Sequence, residues 1–393
     1  MIPHDTARLG PLPEVLRSAS RGVESISTPA GDRMWLVRDY ALARFVLSDR
    51  RFSRAEAAAA GAPRFVDAQP VPQSVMSMDG TEHARLRRIT SRAFAETRIQ
   101  ALAPLVEELV DEQLEAMVAT GPPYDFAAGL AAHLPLAVMC GLLGIPSEET
   151  DRFKDCVGVL FDIEADPADG ARRRLELVRY MTRLFERKRL DRGDDLLSLL
   201  ISEQEAGGMT HNEMVTMGLT LLMAGFESTI RQIGLSVLCL LTDPELARVV
   251  TDEPDAVRDV VEELLRLDSA SMVTFPRVAT AQVEIGDVTV RAGEAVVVPM
   301  PDANRAAAAS PDPERPVLRR SDAPHLAFGY GTHRCLGAPL ARLQLRTVLA
   351  KLFAAFPTLR LADAQDAVAF KDKLVTRGLV RLLVTWDGDH ARH

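Results

Sequence analysis

From residue 211 to Leu241 apolar side chains occur on nearly every face of a helical wheel, which predicts one long helix running through the core. Thr210 and Glu213 stand at its start with the spacing of a capping box, in which each residue's side chain satisfies an exposed N–H of the other. At ~1.5 Å per residue such a helix spans ~46 Å. Asp243-Pro244-Glu245 opens the next helix, because proline is tolerated in a first turn. Helical periodicity governs most of the chain to about residue 268. The exceptions are a strand signal at 34–37 and a Pro- and Ala-rich stretch at 60–74 that reads as a surface loop. From 283 to 298 Val and Ile alternate with polar residues around Gly-Asp and Ala-Gly turns, which predicts short strands. An amphipathic helix follows over 338–356, ended by Pro357, and a second strand signal lies at 378–386. No repeat or linker interrupts the pattern. One mainly α domain over residues 1–393, with small β-sheets from its N-terminal and C-terminal parts, is expected.

Composition narrows the class. Hydrophobic residues make up 47% of the 393, and aromatics only 5%, so Leu, Val and Ala must fill a large core. The net charge is −9 and most Arg residues are interleaved with Asp and Glu. That leaves no basic face for neutralising phosphates, and nucleic acid is excluded as a partner. Cys140, Cys156, Cys239 and Cys335 are widely spaced and form no C-x-x-C pair, which argues against a zinc or iron–sulfur site and against a disulfide framework. Cys140, Cys156 and Cys239 read as structural cysteines. The opening MIPHDTARLGPLPEV has no apolar signal region, and no run of ~20 apolar residues occurs anywhere, so a cytoplasmic protein without a membrane anchor is expected.

The strongest chemical feature is FGYGTHRCLG, residues 328–337, where Gly329, Gly331 and Gly337 flank Cys335. Glycine permits positive φ and lets a bulky ligand approach the backbone. Leu340, Leu343, Val348 and Leu352 mark the helix that follows, so Cys335 sits just before a helix N-terminus, beside His333 and Arg334. Exposed N–H groups, the helix dipole and nearby cations favour a thiolate, the form that ligates a metal. On haem iron a thiolate pushes electron density towards dioxygen and favours O–O cleavage.

The pattern Phe328-Gly-x-Gly-x-His-x-Cys-x-Gly337 resembles the haem-binding signature of the cytochrome P-450 family. The resemblance extends from about residue 33 to 386 and is closest to soluble bacterial members. It implies a triangular helical prism around haem b, with Cys335 as the iron ligand and Phe328, Gly329 and Gly337 cradling the cofactor. It also implies that His83, Arg87, Arg277 and His333 bind the haem propionates, since burying two carboxylates requires cations or donors. His83 and Arg87 stand at i, i+4 and can face the same way on a helix.

Mid-way along the long helix lies Ala224-Gly225-Phe226-Glu227-Ser228-Thr229. A helical glycine costs ~1 kcal/mol relative to alanine, and a local distortion that opens room over the haem would explain Gly225. By resemblance Ala224 and Gly225 border the oxygen groove, and Glu227 with Ser228 relays the two protons that dioxygen activation consumes. Serine stands where threonine is usual; it keeps the hydroxyl but loses the methyl that restricts its rotamers. Thr229 follows and competes for that role, and both hydroxyls could instead bond back to helix carbonyls. Glu263 and Arg266 resemble the family's Glu-x-x-Arg core pair, with Arg320 as third partner and Pro316-Val317 replacing the usual Phe-Asp. Substrate specificity is expected from 54–77, roughly 150–185, Ala224, the segment 272–274 and the turn before Gly378. Met76, Met272, Val273 and Thr274 are candidate lining residues in a mainly apolar pocket.

Three readings stay open. A monooxygenase would hydroxylate or epoxidise a medium-sized lipophilic molecule, by analogy with soluble bacterial members a natural product. Its electrons would come from NAD(P)H through a separate ferredoxin and ferredoxin reductase, because the chain carries no flavin or iron–sulfur signature; a monomer is expected. Alternatively, the same haem could drive oxidative coupling, ring formation or peroxide chemistry. A non-catalytic haem sensor is the third reading, and it would have no need of the Glu227-Ser228 pair.

Overall fold

In the computed structural model the described residues are Leu16 and 22–66, 70–146, 149, 167–306, 313–318, 325–363, 368–371 and 376–388. The first elements are strands β1 (Val23–Ser27) and β2 (Arg33–Val37), an antiparallel hairpin that pairs Val23 with Val37. Helix α1 (Tyr40–Ser48), strand β3 (Phe52–Ser53) and the single turn α2 (Arg54–Ala57) follow. Next come α3 (Gly80–Ser91), α4 (Glu96–Ala101), α5 (Ala103–Thr120), β4 (Tyr124–Asp125) and α6 (Leu130–Leu143). Then α7 (Pro167–Leu190) and α8 (Leu196–Glu205) lead to the long α9 (His211–Thr242). After α10 (Pro244–Asp252) and α11 (Val257–Leu267) the chain forms β5 (Arg277–Ala279), β6 (Val283–Ile285), β7 (Val288–Val290) and β8 (Ala295–Val297). The remaining elements are α12 (Met300–Arg305), α13 (Ala338–Ala355), β9 (Arg360–Leu361) and β10 (Leu383–Thr385).

The expected long helix is present, and both halves of the Thr210–Glu213 capping box form. Proline and Asp243 start α10 as the sequence requires, with the Asp243 side chain accepting from the Leu246 N–H. The helices α5, α6, α9 and α13 share the largest hydrophobic cluster, which includes Val110, Leu134, Leu235 and Leu349. Cys140 and Cys239 are buried, as expected of structural cysteines, and Cys156 lies outside the described residues.

Five strands make one sheet in the order β1-β2-β8-β5-β3, with β2 and β8 parallel and the other neighbours antiparallel. The segment 283–298 supplies the hairpin β6–β7, which pairs Ile285 with Val288, and the core strand β8. The C-terminal strand is shorter than expected. Only Leu383–Thr385 pairs continuously, between β4 and β9. Residues 376–379 turn instead towards α9, with single bridges from Thr376 to Ser271 and from Leu379 to Phe370.

Candidate functional site

The cysteine loop is built by glycine at two points. Gly329 and Gly331 take φ of 67° and 72°, in the region that favours glycine. A Cβ at Gly331 would also overlap the Leu47 carbonyl at the end of α1. The turn is closed by N–H groups of Gly329 donating to Leu326 and of Cys335 donating to Phe328, both at 2.8 Å. Gly337 has an ordinary helical φ and precedes α13 directly. The Cys335 sulfur accepts from the N–H groups of Gly337 and Ala338. Burial pushes its thiol pKa up, while those N–H groups and the charges of Arg87 and Arg334 oppose the rise. The residue is nevertheless exposed.

Beside the loop is a concentration of cations. His83 on α3 is buried, and its Nε2 has no hydrogen-bond partner among the described residues. Its ring lies 4.2 Å from that of His333, centroid to centroid. Burial, with the charges of His333 and Arg87, lowers the His83 pKa to about 4. Arg54 and Arg277 are buried too, and burial brings both guanidinium pKa values down to about 10. Arg277 donates to the Phe52 carbonyl at 3.2 Å, and Arg87 to the carbonyl of Arg334. Asp79 is the carboxylate set against them. It accepts from Ser53 Oγ and Arg54 N at 2.7 Å, Ala55 N at 2.8 Å and His333 Nε2 at 3.2 Å. Burial works against its charge, but these donors outweigh it and hold the carboxyl well below the usual range. The guanidinium groups of Arg54 and Arg277 and the imidazoles of His83 and His333 thus face one carboxylate, Arg87 adds a further charge beside His83 and Cys335, and one imidazole nitrogen has no partner among the described residues. Such a cluster is completed by an anion.

A family model for cytochrome P-450 matches residues 171–377. Nocardicin C N-oxygenase of Nocardia uniformis subsp. tsuyamanensis is 40% identical over 92% of each chain. Mycinamicin IV hydroxylase/epoxidase of Micromonospora griseorubida is 37% identical, covering 93% of this chain and 92% of its own. The crystal structure of cytochrome P-450 MoxA from Nonomuraea recticatena superposes with a TM-score of 0.89 at 35% identity, covering 100% of this chain and 99% of that one. The chain belongs to the cytochrome P-450 family. As a cytochrome P-450 it binds haem b and is an oxidoreductase of the monooxygenase class. Its reaction takes a small molecule, dioxygen and electrons from redox partners. Haem carries two carboxylates and needs an accessible thiolate. The unpartnered His83 nitrogen, the cation excess and the accessible Cys335 fit it. Among the described residues no helix of this cytochrome P-450 is long and apolar enough to cross a membrane.

The central helix α9 brings two corrections. It is α-helical without interruption, so Gly225 does not mark a distortion. A Cβ there would lie 2.5 Å from the Met139 sulfur on α6, and the glycine is explained by that close helix contact. Nor is α9 buried on all sides: Ala224 is exposed in mid-helix and Glu227 and Ser228 are half-buried, while Leu222, Phe226 and Thr229 are buried. The exposed face is therefore local. Ser228 Oγ reaches back to the Ala224 carbonyl at 3.4 Å and Thr229 Oγ1 to that of Gly225 at 3.2 Å. Glu227 Oε1 accepts from Nε of Arg231 at 3.0 Å and also from Nη2. Burial raises the Glu227 pKa, and Arg231 opposes it.

Glu263 and Arg266 form a buried two-point pair, with both contacts at 2.9 Å. Arg266 also donates to the carbonyls of Pro313 and Arg315, and Glu263 accepts from the Val317 N–H. The pair thus grips the turn-rich segment 313–317; Arg320 lies outside the described residues. Phe328 is half-buried under the Arg342 guanidinium, 4.5 Å from its ring centroid. Of the expected substrate-lining residues, Met76 packs on the large helical cluster. Met272 and Val273 are buried in a second cluster with Met34, Phe65 and Val297. The Thr274 N–H donates to the Val298 carbonyl at 2.9 Å, and its Oγ1 accepts from the Val298 N–H at 3.1 Å. Asp79, Arg54 and Arg231 were not foreseen. The signals available were an Asp-Gly before α3 and the i, i+4 spacing of Arg231 from Glu227.

Proposed function

We propose that this cytochrome P-450 hydroxylates or epoxidises a medium-sized lipophilic natural product, with electrons delivered by a ferredoxin and its reductase. The whole chain works as one domain, as a monomer in the cytoplasm. Relatives named for mycinamicin IV hydroxylation and epoxidation and for nocardicin C N-oxygenation support the substrate class. The observation that carries the reading is the exposed Cys335 at the mouth of α13, beside a cluster in which three guanidinium groups outnumber one carboxylate. In this reading Cys335 ligates the iron and Arg54, His83, Arg87, Arg277 and His333 hold the propionates. Phe328, Gly329 and Gly337 cradle the cofactor, and Ala224 leaves the α9 face open above it. When bound, the haem supplies dioxygen binding and O–O cleavage favoured by thiolate donation. Glu227 carries protons to the α9 face, and Ser228 Oγ passes them on. Reduced Cys335→Ser protein should lose the strongly red-shifted Soret band of its carbon monoxide complex; a band that persists refutes the ligand assignment.

A second reading rests on the hydroxyls of Ser228 and Thr229, both of which bond back to α9 carbonyls. If neither moves protons, oxidative coupling is the better description. Label from isotopic dioxygen in the product supports insertion, and unlabelled product supports coupling.

A further inference from the structure

Arg231 is buried on the central helix, an unusual place for a guanidinium within one turn of a relay carboxylate. Three features account for how it is held. Its Nε and Nη2 both donate to Oε1 of Glu227, a stable glutamate-before-arginine order at i, i+4. Nη1 donates to the Thr376 carbonyl at 3.3 Å. Gly378, two residues on, leaves the space: a Cβ there would overlap Nη1 and crowd Cγ and Cζ at 3.3 Å. Oε2 of Glu227 accepts no hydrogen bond among the described residues.

We propose that Arg231 is the positioning residue of proton delivery: it pins Oε1 of Glu227 and leaves Oε2 as the oxygen that takes up and releases the proton. The turn at 376–378 is the other half of the device, since Gly378 and the Thr376 carbonyl fix the guanidinium. The inference rests on the relay role given above to Glu227 and Ser228. A proton leaving Oε2 is replaced from solvent, so the carboxylate returns to its starting state. Burial alone would keep Glu227 protonated and poor at release; a fixed cation on the far oxygen keeps it exchangeable. Besides Arg231, the charge acting on Glu227 from a neighbouring segment is Lys371.

The test uses the haem-loaded protein and two independent readouts. Infrared titration, with Glu227→Gln as the subtraction standard, follows the Glu227 carboxyl directly. Peroxide released per product follows coupling. Arg231→Gln should raise the carboxyl midpoint by about 1–3 pH units, the usual effect of a neighbouring opposite charge. It should also raise the peroxide-to-product ratio about tenfold, within the range of general acid–base effects. Gly378→Ala, which keeps every charge and displaces only the flexible end of Arg231, should shift both readouts in the same direction. Arg231→Lys should restore the midpoint and only part of the coupling, because one ammonium cannot hold Oε1 through two nitrogens. If Arg231→Gln and Gly378→Ala lower the melting temperature without moving the carboxyl midpoint, the proposal is wrong. If Glu227→Gln itself leaves coupling intact, the relay reading fails, and the infrared titration alone decides whether Arg231 positions the carboxyl.

Discussion

A methyl group at position 225 would press on the Met139 sulfur, so Gly225→Ala overpacks the α6–α9 contact. Such insertions cost about 1–3 kcal/mol, and the better helix propensity of alanine returns ~1 kcal/mol, so denaturant unfolding should register a net loss of up to about 2 kcal/mol. The same change in a Met139→Ala background should cost clearly less, since its steric partner is gone. Equal costs in the two backgrounds would return Gly225 to a role in ligand space. Residues differ in how far sequence exposes their work. Cys335, His83, Arg277 and His333 are legible because their neighbours in sequence form a motif. Asp79 and Arg231 are not, because their partners lie far along the chain: Asp79 meets Arg54 across 25 positions and His333 across 254, and Arg231 meets Thr376 across 145. Gly225 is misread for the same reason, its neighbour being on another helix.

Among elements, α9 is legible end to end because its capping box and apolar run are local. β1 is not, since VESIS is largely polar and becomes a strand only by pairing with β2. The packing of α11 on α13 is likewise hidden from the sequence. Glu262 on α11 accepts from Arg342 Nε at 2.6 Å and Nη2 at 2.7 Å, and from His325 Nε2 at 3.1 Å. Arg342 in turn stacks on Phe328, so this acid braces the ring that begins the cysteine loop. Burial opposes the Glu262 charge, but the hydrogen bonds from Arg342 and His325 prevail and lower its pKa to about 2. A carboxyl lowered on folding contributes stability above its unfolded pKa of ~4.3, and that contribution is lost as pH falls towards the folded value. Because the side chain is 32% exposed, solvent screens part of the effect. Between pH 7 and pH 4 the native protein should therefore lose roughly 0.3–0.6 kcal/mol more than Glu262→Gln does. Chemical denaturation at the two pH values measures this, and parallel losses in the two proteins would mean that Glu262 is solvated.

At the scale of the whole molecule the site lies on a seam. The five-stranded sheet contributes Arg277, the turn α2 that follows its edge strand β3 contributes Arg54, the helical core contributes His83 and Arg87 from α3, and the loop before α13 contributes Cys335 and His333. The mixed architecture is legible in the switch of hydrophobic period near residue 283 and in the length of α9. The seam is not, because periodicity says which face of an element is buried and nothing about which element covers it. Asp79 joins all three parts: it stands at the start of α3, accepts from Ser53, Arg54 and Ala55 at the sheet edge, and accepts from His333 in the cysteine loop. Asp79→Ala strands those donors and leaves the neighbouring cations without a counter-charge. Hydrogen bonds to charged groups are worth about 1.5–3 kcal/mol each, so stability should fall by an amount of that order. The more specific consequence concerns the cofactor. With His333 and Arg54 no longer held, haem should pass to a competing apoprotein roughly tenfold faster, the rate equivalent of ~1.4 kcal/mol. The thiolate Soret band of the bound fraction should be unchanged, because the N–H groups that hold Cys335 come from Gly337 and Ala338 and not from this hub. Haem transfer at the native rate would place Asp79 outside the cofactor clasp, and a lost thiolate band would mean that it also shapes the cysteine loop.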